Sequence, residues 1–242
     1  MQRQLIKLLW RLKIFLSQLL KKYDSKLPYF ITSIITASIV VGGIKLFIEL
    51  TEELKSQYLA NWDTNISEVV QLYRSPFLTK YFVFVTNVGD TIGYLIIFTL
   101  CTIIFYVAFK SWKYVVQLAV VMILALSSNL ILKQLINRSR PDVEHLVTVE
   151  TFSYPSGHAM IAMAFYGLLI YLISQFQIKK IWKSLLITLS VILILSIGIS
   201  RIYLGVHFPS DIAGGYIAGF IWVVFCVMIF YLIKIFRRDP TT

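Results

Sequence analysis

Six apolar runs, each near the length that crosses a bilayer, constrain this chain more than any other feature of it. They cover residues 28–48, 81–109, 114–136, 158–177, 184–200 and 211–233. A helix needs roughly 20 mostly apolar residues to span about 30 Å of hydrocarbon, because in lipid its backbone groups must be satisfied within the segment. The fifth run is the shortest, and Ser200 and Arg201 complete it if they sit at the interface. With 58% hydrophobic and 14% charged residues, the composition is wrong for a soluble domain. The expectation is an all-α polytopic membrane protein. Six transmembrane helices form one bundle over residues 27–236, with no separate soluble domain.

Residues 1–26 read differently. Arg3, Lys7, Arg11, Lys13, Lys21, Lys22 and Lys26 interrupt the apolar stretch that a secretory signal would need. Leu5, Leu8, Leu9, Leu12, Leu16, Leu19 and Leu20 recur at helical spacing instead. This predicts a basic amphipathic helix on an anionic membrane face, although a partner-binding helix uses the same pattern. Basic residues also cluster in "KSWK" (110–113), "KKIWK" (179–183) and "KIFRR" (234–238), and the last residues, 237–242, form a short tail. In a six-span bundle these clusters and the N-terminal segment share one side, so both termini are expected in the cytoplasm. The first outer loop carries Glu52, Glu53, Asp63 and Glu68. The net charge of +11 is then mostly topological: it attracts anionic lipid head groups and argues for no nucleic-acid partner. Cys101 and Cys226 each fall inside a span and read as small apolar residues. Gly215 and Gly219 read as a point of close helix packing.

Ionisable groups next to apolar runs are costly and mark functional places. In "KQLINRSRP" (133–141), Lys133, Asn137 and Arg140 are spaced four and three apart. They are expected on one face of the end of the third span, with Pro141 stopping the helix. Arg138 points off that face and is expected to reach water. In "YPSGHAM" (154–160), Ser156 suits an N-cap and the fourth span starts at Gly157 or His158. The free N–H groups of that helix start make an anion site, and Gly157 lets an oxygen approach closely. In "SRIYLGVHFPSD" (200–211), Arg201 adds a cation on the same membrane face. His207 and Asp211 lie four apart, so the carboxylate can fix the imidazole tautomer and leave the other nitrogen free to attack. Each feature also has a purely structural reading: Ser156 as a cap, His158 as a structural histidine, Asp211 as an acid offsetting the helix dipole. His158, His207 and Asp211 could in principle hold a metal, but three cations in the same cluster repel a divalent ion and suit an oxyanion. No metal and no cofactor is expected.

Taken together, Lys-x6-Arg-Pro (133–141), Pro-Ser-Gly-His (155–158) and Ser-Arg-x5-His-x3-Asp (200–211) resemble the three-part signature of the type-2 phosphatidic acid phosphatase superfamily. The hydropathy resembles its membrane lipid phosphatase branch. The resemblance implies that His207 is the nucleophile and Asp211 its orienting partner. It makes His158 the acid for the leaving oxygen and then the base for water. Lys133, Arg140, Arg201, Ser156 and the Gly157 amide would hold the phosphoryl oxygens. The implied reaction is hydrolysis of a lipid phosphate through a phosphohistidine, at the extracytoplasmic face of the cell membrane. Polyprenyl pyrophosphate, phosphatidylglycerol phosphate and phosphatidic acid all fit, and the motifs do not separate monoester from diphosphate. A non-catalytic lipid-phosphate-binding or transport protein of the same fold is the alternative. The presence of both histidines argues against it.

Overall fold

The computed structural model describes residues 27–149 and 151–236, in which every regular element is an α-helix. The basic helix expected over 1–26 and the tail at 237–242 lie outside the described residues. The order is α1 (Leu27–Glu53), α2 (Gln57–Leu72), α3 (Pro76–Val88), α4 (Thr91–Phe109), α5 (Lys113–Ile136), α6 (Gly157–Gln175), α7 (Lys180–Tyr203) and α8 (Pro209–Phe236). Six of them, α1 and α4 to α8, are long and apolar enough to cross a membrane. The ends of α5 and α7 meet the starts of α4, α6 and α8 at one end of the bundle.

The bundle is built around α6, whose Ala159, Met160, Ala162, Ala164, Phe165 and Leu168 are fully buried. It packs on α5, α7 and α8, and α8 in turn packs on α1. The approach of α8 to α6 depends on Gly215. A Cβ there would lie 2.7 Å from the Ser156 carbonyl oxygen and 3.0 Å from Ala159 Cβ. This is the close contact expected from the glycine pair. Around this centre, α1, α4 and α5 keep Val41, Leu46, Leu95, Ile103 and Ile123 exposed. A span needs such faces to meet lipid.

Between α1 and α4 the chain forms two shorter helices that average hydropathy does not reveal. Ser56 caps α2, its Oγ accepting the Leu59 N–H at 3.2 Å. Ser75 caps α3 in the same way, with Pro76 at the first helical position. Asp63 and Ser67, four apart, form the buried stripe of α2, which packs on α7 and α8. The apolar run at 81–109 is therefore not one span. It breaks where Gly89 ends α3 beside Ile197 and the Asp90 carboxylate caps α4, accepting the Thr91 N–H at 2.8 Å.

The third long helix also ends sooner than its spacing suggests. Asn137 takes the left-handed conformation (φ 53°) and its N–H closes on the Lys133 carbonyl at 3.0 Å. Asparagine tolerates this conformation better than most residues, so the helix stops there rather than at Pro141. Arg138 and Arg140 lie on the following loop, and their directions owe nothing to helical periodicity. Ser200 and Arg201 do complete α7, but inside the protein rather than at an interface, at 0% and 5% exposure.

Candidate active site

The three segments singled out in the sequence meet in a cavity of about 410 Å³. Lys133 reaches it from the end of α5, Gly157 and His158 from the start of α6, and Arg201 from the end of α7. Arg140 and His207 enter from the loops after α5 and α7, and Thr86, Asn87 and Asp90 close it from the α3–α4 junction. Ser156 and Asp211 are fully buried and do not line the cavity. The Ser156 hydroxyl caps α6 at 3.5 Å from the Ala159 N–H, the N-cap its position predicts.

His207 is oriented from both sides. Its Nδ1 lies 3.2 Å from Asp211 Oδ2, and its Nε2 lies 3.3 Å from Arg140 Nη1. A guanidinium only donates, so this network assigns the lone pair to Nε2 and the ring proton to Nδ1, facing the carboxylate. Burial pushes the His207 pKa down to about 3, outweighing Asp211, and the Arg201 and Arg140 charges add to the depression. At neutral pH the ring is therefore an uncharged base whose free nitrogen lies beside Arg140, in the wall of the cavity.

Asp211 is held by more than the imidazole. Its Oδ2 also accepts from the Phe208 N–H at 2.8 Å and from Ser153 Oγ at 2.5 Å. Its Oδ1 accepts from Arg138 Nη1 at 2.6 Å. The expectation that Arg138 reaches water is overturned by this contact. Arg138 also donates to Asp63 Oδ2 at 2.8 Å and to Ser210 Oγ at 2.7 Å, and its guanidinium lies 4.4 Å from the Phe208 ring centroid. Arg138 leaves the helical face because the helix ends at Asn137.

The cavity cations are each fixed by the protein. Arg140 donates through Nε to the Thr151 carbonyl at 2.7 Å and through Nη1 to the Val206 carbonyl at 2.6 Å. Lys133 Nζ donates to Thr151 Oγ1 at 2.8 Å. Arg201 donates through Nη1 to Thr86 Oγ1 at 2.7 Å, while its buried Nε has no protein partner among the described residues. A buried donor left unsatisfied costs about 1–3 kcal/mol, so an anionic oxygen in the cavity would be strongly favoured there. Thr86, Thr151, Ser153 and Asp63 carried no motif signal. Each meets the site across long stretches of chain, as Ser153 meets Asp211 from 58 residues away.

A second, apolar cavity of about 420 Å³ lies between α4, α5 and α6, walled by Tyr94, Leu95, Phe98, Met122, Ile123 and Leu126. It shares Asp90, Gly157 and His158 with the charged cavity. Leu95 and Ile123 stand on the exposed faces of their helices, so this groove borders the lipid-facing surface. Among the described residues no three His, Cys, Asp or Glu side chains converge as metal ligands. The arrangement offers one uncharged imidazole nitrogen, a second imidazole, three cations and a helix N-terminus around a single space. That set can bind a phosphoryl group and attack it.

Comparison with known proteins points the same way. The model of the PAP2 superfamily matches residues 114–234. The chain is 30% identical over 189 residues to phosphatidylglycerophosphatase B of Bacillus subtilis (strain 168), covering 78% of this chain and 89% of that protein. Its structure is similar to the crystal structure of the transmembrane PAP2 type phosphatidylglycerolphosphate phosphatase from Bacillus subtilis. There the TM-score is 0.73 and the identity 28%, over 83% of this chain and 98% of the other. It is also similar to LpxE of Aquifex aeolicus, with a TM-score of 0.54 and 25% identity over 68% of this chain and 93% of that one.

Proposed function

The chain belongs to the PAP2 superfamily, and on that footing we propose that it hydrolyses a lipid phosphate through a phosphohistidine on His207. The observation that carries this reading is the Nε2 of His207, 3.3 Å from Arg140 Nη1, in the wall of a cavity ringed by Lys133, Arg140 and Arg201. In the first step the Nε2 lone pair attacks phosphorus and the bond to the lipid oxygen breaks. His158, on the wall shared with the apolar groove, gives that oxygen its proton. In the second step water attacks the phosphohistidine, His158 takes the water's proton, and the P–N electron pair returns to Nε2 as orthophosphate leaves. The Nδ1 proton stays on the ring throughout, donated to the Asp211 carboxylate, which stabilises the cationic phosphoimidazole.

Phosphate monoester hydrolysis is among the slowest uncatalysed reactions, with accelerations up to ~10²¹. General acid catalysis supplies about 10²–10⁴ of that. The remainder falls to covalent catalysis and to fixed positive charge on the equatorial oxygens, supplied by the three cations and the Gly157 N–H. The Ser156 hydroxyl, buried behind the cavity, supports that set from outside by capping the start of α6. This electrostatic set takes the role a divalent metal has elsewhere, so the reaction needs none.

The groove and the relatives support a lipid phosphate as substrate. An acyl or prenyl chain fits between α4 and α5, with its head group passing His158 into the charged cavity. The named activity of the Bacillus subtilis relative favours phosphatidylglycerol phosphate, a monoester. Lys110, Lys113, Lys179, Lys180 and Lys183 lie at the opposite end of the spans, which supports an extracytoplasmic site.

The test is phosphate release by purified protein from phosphatidylglycerol phosphate, phosphatidic acid and polyprenyl pyrophosphate, with excess chelator present. Release from all or some of them is expected, fastest from phosphatidylglycerol phosphate. Silence on every lipid, or activity that appears only when magnesium is restored, would sink the reading.

A further inference from the structure

The proposed mechanism uses one face of Asp211. Its other face meets a buried charge chain that reaches the outer helix α2. Asp63 on α2 is 2% exposed, a burial that an aspartate tolerates only when it is paired. It accepts from the Ser210 N–H at 2.8 Å, from Ser210 Oγ at 2.5 Å and from Arg138 Nη2 at 2.8 Å. Arg138 thus forks between two carboxylates, with Nη1 on Asp211 and Nη2 on Asp63. Ser210, next to Asp211 in the first turn of α8, is tied into the same chain through its backbone and its hydroxyl.

We propose that Asp63 and Arg138 are positioning residues, which clamp Asp211 from behind and balance its charge so that it orients His207 without protonating it. This rests on the reading of His207 as the nucleophile. Burial already leaves the ring uncharged near neutral pH, and the guanidinium adds to this by offsetting the Asp211 charge, which by itself favours the imidazolium that cannot attack. The guanidinium takes up part of the Asp211 charge, and Asp63 in turn moderates the guanidinium. The other ionisable groups around His207 are fixed in this scheme. They are Asp90 at the α3–α4 junction, Lys133 on α5, Arg140 on its loop, His158 on α6 and Arg201 on α7.

The charge count gives an order that a merely structural role would not. Arg138→Gln leaves two buried carboxylates behind His207 and should raise the pH at which the ring titrates by about one to two units. Asp63→Asn should move it down. The double variant keeps the wild-type net charge and should return close to the wild-type position.

Two measurements read this order in full-length protein in detergent micelles, from about pH 2 to about 7, a range that brackets the depressed His207 pKa of about 3 and its expected rise. One is the acid limb of kcat/KM for an aryl phosphate. The other is the NMR titration of labelled imidazoles, with three histidines to assign. The NMR arm needs no turnover, so it separates failure of this inference from failure of the phosphatase reading. An acid limb and a titration at the same pH in wild type and Arg138→Gln would overturn the proposal. A double variant that titrates with Arg138→Gln, rather than with wild type, would also overturn it. Arg138→Lys covers the case in which the glutamine variant does not fold. It keeps the charge and loses the fork, so kcat should fall about tenfold with KM unchanged, the size of one lost charge-assisted bond. A raised KM at unchanged kcat would instead assign Arg138 to phosphate binding and end the positioning role.

Discussion

His207 and His158 sit in different surroundings, and each should fail in its own way when truncated. His207→Ala removes the attacking nitrogen, so no covalent adduct forms. His158→Ala leaves the His207–Asp211 pair intact. With an aryl phosphate, whose leaving group needs little proton donation, the first step should proceed and the second should stall for want of a base. Acid-quenched intact-mass analysis should then show a phosphoryl adduct on His207 in the His158 variant and none in the His207 variant. An adduct on His158 would reverse the two roles. The pairing of His207 with Asp211 was legible because a spacing of four inside one segment fixes a contact. The surroundings of Arg138 were not, since one left-handed residue at Asn137 re-aims everything after it. Ser153, Thr86 and Asp63 reach the site only through the tertiary fold, and no local pattern announces them.

Helix ends rather than helix bodies position this site. The first turns of α6 and α8 lie side by side, and Gly215 sets how closely, through its contact with the Ser156 carbonyl. The Ser156 N–H, in return, bonds the Asp211 carbonyl at 3.0 Å. Gly215→Val should force the two starts apart. Overpacking of this kind costs about 1–3 kcal/mol, so thermal unfolding in detergent should begin at a clearly lower temperature. Turnover should fall alongside, because Gly157 and His158 move away from His207. An unchanged melting curve would mean that α8 approaches α6 less tightly than the contact distances require. Five of the six long helices could be read from apolar length alone, because lipid imposes that length. The remaining one was read too long, as a single span over 81–109. Its hydropathy stays high across the break, and only the Gly89–Asp90 pair records the change from α3 to α4. The amphipathic helix α2 is too polar on average for a search by length and hydropathy to find, although its buried stripe carries Asp63.

The whole molecule separates its charges by end. Lys110, Lys113, Lys179, Lys180 and Lys183 flank the turns α4–α5 and α6–α7, and the cavity cations Lys133, Arg140 and Arg201 lie at the other end. Single cysteines at Ser111, in the first of those turns, and at Asp142, in the loop after α5, report the orientation. An impermeant thiol reagent added to intact cells should label Asp142→Cys and spare Ser111→Cys. The native Cys101 and Cys226 lie within spans. Labelling at Ser111→Cys alone would turn the protein over and move its substrate to the inner leaflet. The meeting of the apolar groove and the charged cavity at Asp90, Gly157 and His158 bears on how the products of the proposed reaction leave. One of them is soluble in oil and the other in water, and each departs into the phase that holds it. The dephosphorylated lipid returns according to its mole fraction in a two-dimensional fluid, while orthophosphate returns according to its molarity in an open volume. Hydrolysis sets the direction, and because reversal needs both to arrive together, separate exits keep dilute products from recombining at the site.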